Sequence, residues 1–152
     1  MSTTIRPEIS KKNKHYISKH RYYELKHFVA QYYDWKRYLN LMAATYPHLY
    51  SAFLDDHSTE WRNPTAEEAE KREQYFKNVQ MVKNCLLLAF EENTDFTCCV
   101  QWRPEHSHYL EAIVEGWSFL KLQARHPDIS LSKEAYYKKY HRFFWMLDQA
   151  RK

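Results

Sequence analysis

Ile113-Val114-Glu115-Gly116-Trp117-Ser118-Phe119-Leu120 is the stretch that decides how this chain is read. Gly116 is the only glycine among the 152 residues. Glycine takes positive φ at little cost and therefore ends helices. Ser118, two residues on, is of a type that opens them. A helix opened by Ser107 and running through Glu115 is expected, then a turn at Gly116, then a short helix. His126-Pro127 stops the short helix, and Ser132 supplies the cap of a longer one. Helix, glycine turn, short helix, turn and basic helix is the element order of a helix-turn-helix.

The helix after Ser132 divides into two faces. Tyr136, Tyr140, Phe143 and Leu147 recur at i, i+4, i+7 and i+11, and Tyr137 and Phe144 broaden the stripe, which is expected to be core. Lys133, Lys138, Lys139 and Arg142 fall largely off it. Lys133, Tyr136, Lys138, Lys139 and Arg142, on the N-terminal turns, are the candidate contacts to duplex DNA, through phosphates or guanine edges. The plainer alternative is a solvated basic face.

Charge is unevenly spread. Residues 1–26 carry seven Lys/Arg against two acids, residues 27–120 eight against fourteen, and residues 121–152 eight against three. Two basic ends around an acidic middle fit a protein that presents particular faces to phosphate. Residues 1–17 read as a flexible basic arm, since Pro7 excludes an early helix and no apolar period exists. Lys11, Lys12 and Lys14 of that arm are further candidate DNA contacts.

Ser18 then caps a first long helix with Tyr22, Leu25, Val29, Tyr32, Leu39 and Met42 on one face. It must end before Pro47, and the Tyr32-Tyr33-Asp34-Trp35 region is a place for an earlier break. From Pro47 to Asn63 the pattern loosens, and Asp55, Asp56 and His57 there are a weak metal signal. Asn63-Pro64-Thr65 opens a second long helix, with Glu67, Glu68 and Glu70 at its positive dipole end. Tyr75, Val79, Val82, Leu86 and Phe90 carry it to about Glu92. Phe96 to Trp102 has strand-like composition without a partner strand, so it reads as a buried connector or a short strand. Cys98 and Cys99 with His106 and His108 form a metal-like constellation. Adjacent Cys and His-x-His suit zinc poorly, and neither a metal nor any other cofactor is expected.

One glycine and five prolines leave few turn-formers, which argues against a strand-and-hairpin protein. The expected fold is all-α: a single-domain bundle over residues 18–152, made of two long helices plus a helix-turn-helix-like unit over about 107–152. There is no apolar run long enough for a membrane span and no hydrophobic signal core, so the chain reads as intracellular, with its three cysteines reduced.

Glu115-Gly116-Trp117-Ser118-Phe119 resembles the E-G-x-S-Y/F turn of sigma-factor region 4 and related helix-turn-helix activators, and Ile129-Ser130-Leu131-Ser132 resembles the lead-in to their recognition helix. More loosely, the chain is similar to small phage proteins of Gram-positive bacteria, including late-gene activators of the RinA and ArpU type. That resemblance implies a transcription regulator in the bacterial cytoplasm that binds duplex DNA, alongside host RNA polymerase or another nucleic-acid-processing protein. Two departures stand out. Leu120-Lys121-Leu122-Gln123 replaces the usual E-x-I-A of the support helix, with Ala124 displaced. The connection Arg125-His126-Pro127-Asp128 is longer than a tight turn.

Catalysis finds no foothold: there is no glycine-rich phosphate loop, no H-E-x-x-H and no nucleophile elbow, so no enzyme is expected. A second function class is a protein-interaction module that inhibits or redirects a host nucleic-acid machine through an aromatic surface and the acidic second helix. A helical oligomer is a third.

Overall fold

The computed structural model describes residues 15–47, 64–91 and 101–152. Six helices lie among them: α1 (Lys19–Ala30), α2 (Tyr32–Thr45), α3 (Ala66–Phe90), α4 (Pro104–Glu115), α5 (Phe119–Arg125) and α6 (Lys133–Ala150). The described residues contain no strand, and the fold is all-α as the composition implies. Two compact units form, Met1–Gln31 with Met81–Lys152, and Tyr32–Gln80.

The first unit holds α1, the last turns of α3, and α4 to α6. Ser18 accepts the Arg21 amide at 3.3 Å, which opens α1 as its sequence implies. The expected first long helix is interrupted at Gln31, just ahead of the Tyr32-Tyr33-Asp34-Trp35 region. There the Gln31 side chain donates to the His27 carbonyl and occupies an acceptor of the final turn. α1 packs on α4 and α6. Tyr22, Leu25 and Val29 meet a core that includes Leu110, Ile113, Tyr140, Phe143, Phe144 and Leu147, all buried. Rings carry much of this packing. Tyr22 and Tyr140 lie 5.1 Å and 4.9 Å from Phe144, and Phe90 stacks on Tyr109 at 4.8 Å. Such tilted and offset pairs add about 0.5–1.5 kcal/mol each beyond area burial.

Polar groups inside this unit are mostly matched. Asp148 is 8% exposed and accepts the Arg21 Nε–H at 2.6 Å, joining α1 to α6. That hydrogen bond, and a second to Glu24, push the Arg21 guanidinium further above its ordinary range. The Tyr136 hydroxyl is buried with no hydrogen-bond partner among the described residues.

The start of α4 differs from the sequence expectation. Its first residue is Pro104, and Ser107 lies inside the first turn rather than at the cap. Proline suits a first helical position because its missing N–H needs no partner there. His106 completes the cap by accepting the Arg103 amide on Nδ1 at 2.9 Å, while Ser107 accepts the Trp102 indole N–H at 2.9 Å. Burial then lowers the His106 pKa, so the cap is made by a neutral ring.

The second unit contains α2 and the first turns of α3. Thr65 accepts the Glu68 amide at 3.2 Å, opening α3 close to the expected place, and the helix closes at Phe90 rather than about Glu92. Glu68 also accepts the Tyr46 hydroxyl at 2.7 Å. Tyr38 and Tyr75 meet edge-on at 5.1 Å, with the Lys71 ammonium 4.8 Å from the Tyr38 ring. The region of Asp55, Asp56 and His57, and Cys98 with Cys99, lie outside the described residues.

Candidate nucleic-acid interface

The site is assembled by α4, α5 and α6. Gly116 has φ +70°, and the Trp117 amide reaches back to the Ala112 carbonyl at 2.8 Å, which closes α4 with a left-handed cap. Ser118 accepts the Lys121 amide and opens α5, and Ser132 accepts the Ala135 amide and opens α6. All three signals act where the sequence places them. α5 is fixed to α6 at their first turns: the Phe119 amide donates to the Tyr137 hydroxyl at 3.1 Å, and the Phe119 ring lies 5.5 Å from that of Tyr136.

On α6 the aromatic stripe is core, with Tyr136, Tyr140, Phe143, Phe144 and Leu147 buried. Tyr136 is 0% exposed, which removes it from the candidate DNA contacts. Its ring closes the unit's interior instead, and burial drives its hydroxyl pKa upward. Lys133 and Lys138 are exposed, and Lys139 and Arg142 are half-buried. Lys133, Lys138 and Arg142 make no ion pair among the described residues. Lys139 sits close enough to His106 to help lower that ring's pKa, and it is not a free cation. His141 is also held neutral by burial and adds no charge to the face.

Lys138, Arg142, Trp145 and Gln149 follow i, i+4, i+7 and i+11, so they share the side of α6 opposite its buried stripe. Glu134, one turn ahead of Lys138 on that side, is the acid among them. His15 packs on Trp145 with ring centroids 4.9 Å apart. Trp145 and His15 are absent from the sequence-derived contact set, although the i+7 spacing from Lys138 marks Trp145. Lys11, Lys12 and Lys14 fall outside the described residues.

α5 contributes a second basic edge. The Lys121 ammonium and the Arg125 guanidinium lie 5.1 Å and 5.4 Å from the Trp117 ring. Leu120, just ahead of Lys121, is 68% exposed.

A polar cavity of about 210 Å³ opens beside the start of α4, lined by Glu91, Arg103, Glu105, His106 and Ser130 among others. Its groups serve the fold: Glu105 accepts the Ser130 hydroxyl at 3.3 Å, and His106 Nδ1 is committed to the helix cap.

Comparison with protein-family models, curated proteins and solved structures found no match. The arrangement of side chains therefore carries the functional reading alone. Among the described residues no helix is long and apolar enough to cross a membrane.

Proposed function

We propose that the chain binds duplex DNA along the outward face of α6, with Lys11, Lys12 and Lys14 as further phosphate contacts. The observation that carries this reading is the side of α6 that Lys138 and Arg142 share opposite the buried stripe, where neither makes an ion pair among the described residues. Cations on one face of a capped helix can follow a stretch of phosphate. The Gly116 turn and the caps of Ser118 and Ser132 support α5 and α6 as support and recognition helices, and the resemblance of Glu115–Phe119 is what suggests a regulator of phage or prophage type.

The test is binding to a mixed-sequence duplex over a range of salt concentrations. The native chain is compared with one carrying Lys138→Gln and Arg142→Gln. Each phosphate contact contributes roughly 0.9 to the log–log salt slope, so the slope is expected to shrink by roughly 2. Equal slopes, or no binding by either protein, would overturn the reading.

A second reading rests on the other compact unit. Leu41 and Phe76 are 62% and 50% exposed there, which favours a protein partner over a nucleic acid on that unit. Under this reading the chain is an interaction module that inhibits or redirects a nucleic-acid-processing machine. A stoichiometric protein complex, formed without DNA and lost with Leu41→Asp, is its expected signature.

A further inference from the structure

We infer that His108, His126 and Asp128 form a binding site for a divalent transition metal of the zinc class, clasping α4 to the connection between α5 and α6. One potential ligand atom from each residue lies within 4.8 Å of the other two. His108 projects from the second turn of α4, His126 ends α5, and Asp128 follows in the turn. The two imidazole rings are stacked, with centroids 3.6 Å apart and planes 19° from parallel. A second carboxylate stands beside them: Glu111, one turn along α4 from His108, has Oε2 3.5 Å from His126 Nε2.

The backbone holds these groups in place. The His126 amide donates to the Leu122 carbonyl at 2.8 Å, and the Ile129 amide donates to the His126 carbonyl at 3.3 Å. The turn that carries His126 and Asp128 is thus pinned at both ends. Closing the cluster on a metal needs ligand atoms roughly 3.3 Å apart, from bonds of about 2.0–2.1 Å in tetrahedral geometry. In the stacked arrangement the in-plane lone pairs of the two rings run side by side, so an imidazole must turn out of the stack for both to reach one ion, and the exposed Asp128 follows by side-chain rotation.

Ligand chemistry selects the ion. Two imidazoles and a carboxylate are too rich in nitrogen for Mg²⁺ or Ca²⁺, which take oxygen ligands, and they suit Zn²⁺ and its neighbours Co²⁺ and Ni²⁺. Three protein ligands leave a fourth position, which Glu111 or a water can fill. A metal there would hold the far end of α5, and the connection that follows it, against α4.

The experiment uses the full chain, stripped with chelator and kept reduced, and needs no nucleic acid. Zn²⁺ is titrated in competition with a chromophoric chelator, and thermal unfolding is followed with and without Zn²⁺. One equivalent is expected to bind, with an unfolding midpoint that rises as free Zn²⁺ rises. His108→Gln, His126→Gln and Asp128→Asn are each expected to weaken binding at least as much as the loss of an outer-shell partner does, about 10–100-fold. Asp128→Asn alters an exposed side chain and keeps the fold testable. His20→Gln, on the exposed side of α1, is the control and should bind as the native chain does. Co²⁺ should give a nitrogen–oxygen ligand-field spectrum without a thiolate charge-transfer band. No binding, binding undiminished in all three variants, or a thiolate band that assigns the metal to the cysteines would each overturn the site.

Discussion

The hydroxyls of Tyr22 on α1 and Tyr140 on α6 lie 2.5 Å apart inside the first unit, each the other's hydrogen-bond partner. Burial raises the pKa of both phenols, so the pair is neutral over the accessible pH range. Removing one hydroxyl strands the other in the interior. Tyr22→Phe and Tyr140→Phe are each expected to destabilise the chain by about 1–2 kcal/mol, whereas the double variant should recover part of that loss. Urea unfolding of the four proteins measures the coupling, and simple additivity would sink the idea. Tyr136 provides the contrast. Its buried hydroxyl has no partner among the described residues, so Tyr136→Phe should be neutral or stabilising by up to ~1 kcal/mol.

Gly116 supplies the left-handed residue that closes α4. A Cβ there would meet only Lys26 Cε at 3.9 Å, an ordinary contact, so any cost of substitution comes from φ +70° and not from crowding. Gly116→Ala is expected to lower stability by about 1 kcal/mol and Gly116→Asn by less, since Asn tolerates this region. Equal thermal midpoints for the native and Ala proteins would contradict that account.

His106 makes stability depend on acidity. Its Nδ1 accepts the Arg103 amide only when unprotonated, and desolvation lowers its pKa; Glu91 and Glu105 oppose that, while Arg103 and Lys139 assist it. With the folded pKa below the unfolded value of about 6.5, the unfolded chain binds more protons as pH falls. The stabilisation is whole above about pH 6.5 and is lost as pH drops through the folded pKa. His106→Gln keeps an acceptor at the third helical position without titrating in this range. Its stability should fall less steeply from pH 7 to pH 5 than that of the native chain. Some slope will persist, because burial lowers the pKa of His141 in the same sense.

Ser132 holds the first turn of α6, which carries Lys133 and leads into the turn of Lys138. Ser132→Ala removes the acceptor for the Ala135 amide and should cost about 1 kcal/mol. DNA affinity at fixed salt is expected to fall with the loss of order in that turn, while the salt slope stays near native because every cation remains. A slope that collapsed together with the affinity would argue against this division of roles.

What the sequence made readable is what local chemistry decides. Ser18, Gly116, Ser118 and Ser132 each act within four residues of themselves, and all four behave as their types imply. The aromatic stripe of α6 was equally plain, because a period of 3.6 depends on one helix alone. Contacts between distant segments were not. Nothing near His126 in sequence points to His108, so His126 reads only as the end of a helix. Trp145 could be placed on the basic face by spacing, but its contact with His15 depends on how α1 enters the unit. The start of α4 is illegible for another reason: its cap is Arg103, a residue type that signals none, whereas Ser107 four residues on is a preferred cap.

The bond between Arg21 and Asp148 spans 127 residues of sequence and sets a constraint on how the protein is made. At about 5–20 residues per second, Arg21 is added roughly 6 to 25 s before Asp148. Through that interval Tyr22, Leu25 and Val29 have no α6 to cover them. The apolar face of α1 therefore stays uncovered by α6 until α6 is made, and the first unit closes only once nearly all of its own sequence has been translated.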